Sequence, residues 1–419
     1  MPLTRRDFLK GGFACALLGS AAPSVLVRTI YAEPTPEVQV MQAQLGFKPR
    51  TLVVLQLGGG NDGLSMLPPY EDGLYHDLRR ELSFDLESGV IPLQDGIGLH
   101  PGLAQLEPVW ARGDLAFIQN VGYADPNRSH FRSMDIWHTA EPNDLIAEGW
   151  LGRYLDFTSA NDGNHWRAVS IGPSPSPALA GQTFVPAIGD AESYQLQMDP
   201  RYPQDAEHRI VAWEALHANA GARTGSQPLL SRAGLEAYAS TLTLQGAAAS
   251  YTPMATYPDQ NPLAAGLQVV AQVVDAGLGT GIGYVSMAGF DTHAVQDEIH
   301  SELLQQVADA LVAFLDDIDA HGHGDDVVVM GFSEFGRRVE VNGSEGTDHG
   351  TAGPVLLAGR PVLGGLYGDP PDLSDLDNGD LKFSTDFRSV YATLLEDWLG
   401  TAAAPVLFGD FGTLPLLSA

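Results

Sequence analysis

Carboxylate and imidazole side chains recur along this chain in tight groups. Asp291-Thr292-His293 places an acid and an imidazole two residues apart, and Asp348-His349 sets the same two types side by side between Thr347 and Gly350. In an extended segment residues i and i+2 point the same way, so Asp291 and His293 suit one ion. Asp348 and His349 would diverge in a strand, but a tight loop turns both toward one cavity. Carboxylate oxygen and imidazole nitrogen are the usual ligands of hydrolytic zinc. Each group also has a plainer role: a helix-capping aspartate with His293 at the surface, and a polar turn at 347–350. Asp62 lies in Gly58-Gly-Gly-Asn-Asp-Gly63, which equally reads as turn chemistry. That stretch is neither a P-loop nor a dinucleotide fingerprint, because no Gly-Lys-Ser/Thr ending follows.

Ser129 is the candidate nucleophile. It stands where a helix should begin, and the positive end of a helix favours an alkoxide or a bound phosphate. A hydroxyl is weak at its ordinary pKa, and metal coordination is one way to activate it. A plain capping serine is the simpler alternative. His130 follows it, and Arg128 and Arg132 flank it with guanidinium forks that suit phosphate or sulfate oxygens. Ser333-Glu334 adds another acid. The segment Gly331-Phe-Ser-Glu-Phe-Gly336 is one residue too long for the nucleophile elbow of a serine hydrolase.

These groups need a scaffold to bring them together. Apolar runs at Thr51–Leu57, Asp114–Val121, Gly281–Met287, Asp326–Gly331 and Pro354–Ala358 predict buried strands. Amphipathic patterns predict helices at Leu103–Arg112, His130–His138, Leu263–Asp275, Ile299–Ala320 and Phe387–Leu399. Such alternation predicts an α/β layered fold with a mostly parallel sheet. Ligands of these sheets bind beyond the carboxyl ends of the strands. Asp62, Ser129, Asp291-His293 and Glu334 each follow a predicted strand, and Asp348-His349 precede the fifth. Residues from about 190 to 260 are Ala-rich and helix-prone, and read as a helical insertion or cap.

Composition narrows the partners. The 419-residue chain carries a net charge of −30, with 44% hydrophobic residues. That surface repels nucleic acid and anionic lipid. Only Lys10, Lys48 and Lys382 are lysines, a balance that fits a salty habitat. The one cysteine, Cys15, falls early in the chain, so the remainder has no disulfide or thiolate metal site.

Thr4-Arg5-Arg6-Asp7-Phe8-Leu9-Lys10 followed by a weakly apolar run, Gly11 to Val27, reads as a twin-arginine export signal. Cleavage after Ala32 is expected, with 33–48 as a polar linker and 49–419 as one domain in the periplasm. An uncleaved anchor is the other reading. No later segment looks like a membrane span.

The ordered motifs, Gly-Gly-x-Asp62, Arg-Ser129-His130-Phe131, Phe-Asp291-Thr-His293, Ser-Glu334-Phe-Gly-Arg337 and Thr-Asp348-His349-Gly, resemble an exported family known as domain of unknown function 1501. The likeness extends to Leu-His100-Pro-Gly, Gly149-Trp150-Leu-Gly-Arg153 and Asp386-Phe-Arg388, and so covers about residues 50 to 400. That family is grouped with alkaline phosphatases and sulfatases. The resemblance implies an alkaline phosphatase-like three-layer sandwich and one or two divalent ions, zinc first, with calcium, magnesium and manganese as the other candidates. By position, Asp62, Asp348 and His349 would form one metal site bridged by Ser129, and Asp291 and His293 most of the other. The superfamily usually supplies a later histidine; this chain has none after His349, which leaves His130, His100 or Glu334 as substitutes. The implied activity is metal-dependent hydrolysis of a small-molecule or glycan phosphate or sulfate ester. A non-catalytic envelope binding or assembly protein with a degenerate site is the second reading. The twin-arginine translocase is the implied export partner.

Overall fold

The computed structural model describes residues 50–158, 164–189, 205–218 and 227–418. The twin-arginine segment 1–32, the linker 33–48 and the first part of the expected insertion, 190–204, lie outside the described residues.

The strands are, in chain order, β1 (Thr51–Gly58), β2 (Ile91–Gln94), β3 (Ile97–Leu99), β4 (Leu115–Gly122), β5 (Ala168–Ile171), β6 (Ala187–Ile188), β7 (Ile282–Ala288), β8 (Val327–Phe332), β9 (Gly353–Ala358), β10 (Gly365–Tyr367) and β11 (Thr385–Asp386). β2 and β3 pair as a separate antiparallel ribbon. The rest form a nine-stranded sheet in the order β10-β4-β9-β8-β1-β7-β5-β6, with β11 also on β4. β1 is central, parallel to β7 with Leu52 opposite Ile282, and parallel to β8 with Thr51 opposite Val327. Its unbroken apolar run has this cause, since both faces of β1 are covered and Leu52, Val53, Val54 and Leu55 are all buried.

The five principal helices are α1 (His130–Thr139), α2 (Trp150–Thr158), α3 (Pro262–Asp275), α4 (Gln296–Ala320) and α5 (Phe387–Thr393). α3 starts where Asn261 accepts from the Leu263 and Ala264 amides and Pro262 fixes the first turn. On one face of the sheet, Leu52, Val54 and Tyr284 pack with Trp137 of α1, Trp150 of α2 and Tyr391 of α5. On the other face α3 lies against β7, and Gly283 allows the approach because a Cβ there would sit 2.9 Å from Val270. The predicted helix Leu103–Arg112 is in fact a 3-10 segment, Pro101–Leu106, followed by a short α-helix, Glu107–Ala111. Pro108 lies in the first turn of that second piece and cannot donate a backbone bond to the turn before it.

Helices Ala206–Ala218 and Gln227–Ser250 belong to a second compact unit, in which Trp213 and Tyr238 meet edge to face at 6.1 Å. Residues 251–260, read from sequence with the insertion, belong to the sheet unit instead. The Tyr251 and Tyr257 hydroxyls both donate to the buried Asp317 carboxylate of α4.

β9 runs antiparallel to both β8 and β4. This reversal matters for the site. A loop that precedes a parallel strand opens on the amino rim of the sheet. Because β9 is reversed, the segment before it opens on the same rim as the ends of β1, β4, β7 and β8.

Candidate metal centre

Four side chains converge at that rim. The Nε2 atoms of His293 and His349 are 2.9 Å apart, and Asp291 Oδ1 is 3.1 Å from each. Asp291 Oδ2 is 3.5 Å from His130 Nε2. The His130 and His349 rings meet edge to face at 4.3 Å.

The outer nitrogens fix what the inner ones present. His349 Nδ1 lies 2.8 Å from the Arg128 carbonyl, His130 Nδ1 2.8 Å from Glu334 Oε1, and His293 Nδ1 3.2 Å from Asp348 Oδ1. Each partner is an oxygen acceptor, and in the tautomer with the proton on Nδ1 each ring turns its Nε2 lone pair inward. The Nε2 of His130 is buried with no hydrogen bond of its own. In that tautomer three lone pairs face the Asp291 carboxylate, an arrangement that a cation would relieve; in the other tautomer His349 Nε2 donates to Asp291 Oδ1 at 3.1 Å. Spacings of 2.9 to 3.5 Å also match adjacent donors on one ion, about 3.0–3.4 Å apart when each lies about 2.1 Å from it. The donor set fits a divalent transition metal, with a second layer of oxygens holding each ring.

Asp291 remains the anionic member. Burial works to raise its pKa, but the Arg337 hydrogen bond, then His349, hold it down at about 2. Arg337 is fully buried, and its Nη2 lies 2.7 Å from Asp291 Oδ1. The same guanidinium donates to the carbonyls of Gly59, Gly60, Phe290 and Thr347. One side chain thus ties the turns after β1 and β7 to the loop before β9. Gly59, at φ +126°, is required there, because a Cβ would sit 2.4 Å from the Asp291 amide nitrogen.

Asp62 does not join the donors. It is fully buried, caps the short helix Gly63–Met66 and pairs with Arg79, whose Nη2 is 2.9 Å from Oδ1. Burial raises its carboxyl, and the Arg79 charge more than offsets this, leaving the pKa well below the usual range. Its link to the centre is indirect: Gln296 donates to Asp62 and accepts at 2.6 Å from Thr347 and 3.1 Å from Thr292. Thr292 sits between Asp291 and His293, and Thr347 precedes Asp348. The metal site expected from Asp62, Asp348 and His349 is therefore divided, with Asp62 behind the donors and Asp348 beside them orienting His293.

The remaining expectations sort in the same way. Glu334 is buried, accepts from the Gly59 amide at 2.9 Å and positions His130. Asp348 is exposed, and its pKa is lowered by hydrogen bonds from Asn342 and His293. Ser129 is exposed at the start of α1 and makes no capping bond, so its hydroxyl is free of that role. Both its neighbours, the Arg128 carbonyl and the His130 ring, touch the cluster. The Arg128 guanidinium pairs with Asp380. Arg132 is turned away, bonded to Asp135 at 2.5 Å and to the Pro142 carbonyl at 2.7 Å, which removes it as an oxyanion holder. His100 is not a substitute ligand: it accepts from the Gly102 amide, and burial, then His300, hold its pKa down at about 3. Sequence reasoning assigned no role to Arg79, Gln296 or Arg337, since all three act by joining loops far apart in the chain. Among the described residues, His130, Asp291 and His349 form the group whose donor atoms all lie within 4.8 Å of one another, and His293 adjoins it through Asp291 and His349.

The model of a family described as protein of unknown function (DUF1501) matches residues 49–396. No curated protein matches the sequence. Among solved structures, the chain is similar to Ps i-CgsB, at 11% identity over 88% of this chain and 75% of that one, with a TM-score of 0.39. It is also similar to the PsFucS1 sulfatase from Pseudoalteromonas sp., at 11% identity over 84% and 70%, with a TM-score of 0.36. A protein in the alkaline phosphatase superfamily from Vibrio parahaemolyticus aligns at 11% identity over 98% and 78%, with a TM-score of 0.37.

Proposed function

The chain belongs to the DUF1501 family, and from that premise we propose that it is a metal-dependent hydrolase of phosphate or sulfate esters that works outside the cytoplasm. The observation that carries this reading is the inward convergence of the His130, His293 and His349 lone pairs on the Asp291 carboxylate. His130, Asp291 and His349 would hold the ion, with His293 beside them as the further imidazole. A divalent metal there supplies positive charge that acidifies a nearby hydroxyl and neutralises ester oxygens. Ser129 presents the hydroxyl that attacks, from a helix start whose dipole favours developing negative charge. Glu334 and Asp348 keep the two rings in the donating tautomer. Asp291, whose carboxyl the Arg337 hydrogen bond holds below the usual range, is the anionic member of the set. Arg128, paired with the buried Asp380 but with its side chain 41% exposed, would share its guanidinium between that carboxylate and an ester's anionic head. Export by the twin-arginine route, with translocase as the transient partner, is part of the proposal. It is supported by Arg5-Arg6 and the weakly apolar run from Gly11 to Val27 that follows them.

The test is metal analysis of the purified protein together with turnover of aryl phosphate and aryl sulfate. We expect bound zinc or a similar ion, lost in His349→Ala. Ser129→Ala should keep the metal and lose turnover by roughly 10³-fold or more. Metal retained with no turnover of any ester would instead indicate a binding protein built on the same centre.

A further inference from the structure

A cavity of about 390 Å³ adjoins the metal centre and has no part in holding it. The two share walls. Glu334 lines the cavity and bonds His130, and Phe335 lines it while its ring lies 4.9 Å from both His130 and His349. The loop leaving β4 runs along the cavity at residues 122–126, then reaches the centre at 128–130. The volume is that of a small-ligand pocket.

Its lining has a definite chemistry. Tyr123, Trp137, Phe335, Leu381 and Phe383 give apolar and ring surfaces. Phe383 seats closely on the backbone, since a Cβ on Gly122 would lie 2.8 Å from it. The charged members are Asp125, Glu334 and Asp377 against Lys382, and the Lys382 ammonium is already paired with Asp375. The wall therefore opposes a second anion. The Arg128 guanidinium is likewise already paired, with Asp380 next to the lining residue Leu381, and the ion that the centre would hold lies past Glu334 and Phe335.

We propose that this cavity receives the alcohol part of the substrate, and that this part is an uncharged, apolar, ring-bearing group. The ester's single anionic head then lies on the centre and the ring in the cavity. On this reading polyanionic glycans and bisphosphates are poor substrates. The inference rests on the hydrolase reading for the term alcohol part, but its binding test does not.

The probes are 4-methylumbelliferone and its carboxylate-bearing relative 7-hydroxycoumarin-4-acetic acid, with binding measured at about pH 6 to keep the phenols neutral. The metal-loaded wild type should bind the first, and the second about tenfold or more weakly. Ala124→Trp places an indole in the cavity from an exposed loop position and should weaken 4-methylumbelliferone binding about tenfold or more at unchanged metal content. Phe383→Ala, at the partly open lip, is the second variant and should weaken it too. No binding to wild type, equal binding of the two probes, or unchanged binding in both variants overturns the proposal. If the binding pattern holds but the phosphate and sulfate esters of 4-methylumbelliferone are not hydrolysed, the hydrolase reading fails and the cavity assignment stands. If they are hydrolysed with an unchanged KM in both variants, the cavity assignment fails and the hydrolase reading stands.

Discussion

The Asp62–Arg79 pair is closed off from water on both sides, with neither side chain more than 1% exposed. Removing one partner leaves the other charge buried and alone. We expect Asp62→Asn to destabilise the fold by about 3–5 kcal/mol at neutral pH, measured by denaturant unfolding. The pH dependence has a fixed sign. The folded carboxyl titrates well below its unfolded value, so its contribution is complete above about pH 4 and declines as the solution is acidified further. The gap between wild type and Asp62→Asn should therefore narrow in acid. This residue also marks how far residue types were legible. Asp291, His293 and His349 stood out because an acid and an imidazole sat side by side or two apart after predicted strands. Asp62 looked equivalent from its own neighbours. Its partner is 17 residues on, in another helix, and nothing in a local pattern distinguishes an aspartate that will meet an arginine from one that will meet a metal.

Elements set the precision of the centre. The Gln296 amide opens α4 and joins the Thr292 and Thr347 loops to Asp62. Gln296→Leu should keep the fold and weaken metal binding about 10–100-fold, read by competition with a chelator, because the loops lose their common anchor. The positions of the main elements were legible: five apolar runs became β1, β4, β7, β8 and β9. The direction of β9 was not, because a run buried on both faces reads the same either way. Without its reversal Asp348 and His349 would open on the opposite rim from Asp291. The short strands β5, β6, β10 and β11 escaped notice for another reason. With two to four residues each, they are held by pairing to neighbouring strands rather than by a pattern of their own.

At the scale of the whole molecule charge dominates. The chain carries 52 acidic side chains against 22 lysines and arginines. Self-repulsion of that size loosens the compact state, and salt screens it. We expect the unfolding midpoint to rise when salt increases from about 0.01 M to 1 M, and a midpoint indifferent to salt would count against a surface-charge origin of any instability. The central place of β1 has a further consequence, which concerns synthesis. Both hydrogen-bonded neighbours of β1, β7 and β8, begin beyond residue 280. As the chain leaves the ribosome, this apolar central strand thus emerges first among the strands and waits for more than half of translation with two unpaired edges. The nascent protein is exposed to misassembly throughout that interval, and a chaperone that covers residues 51–58 until β8 is made should raise its yield.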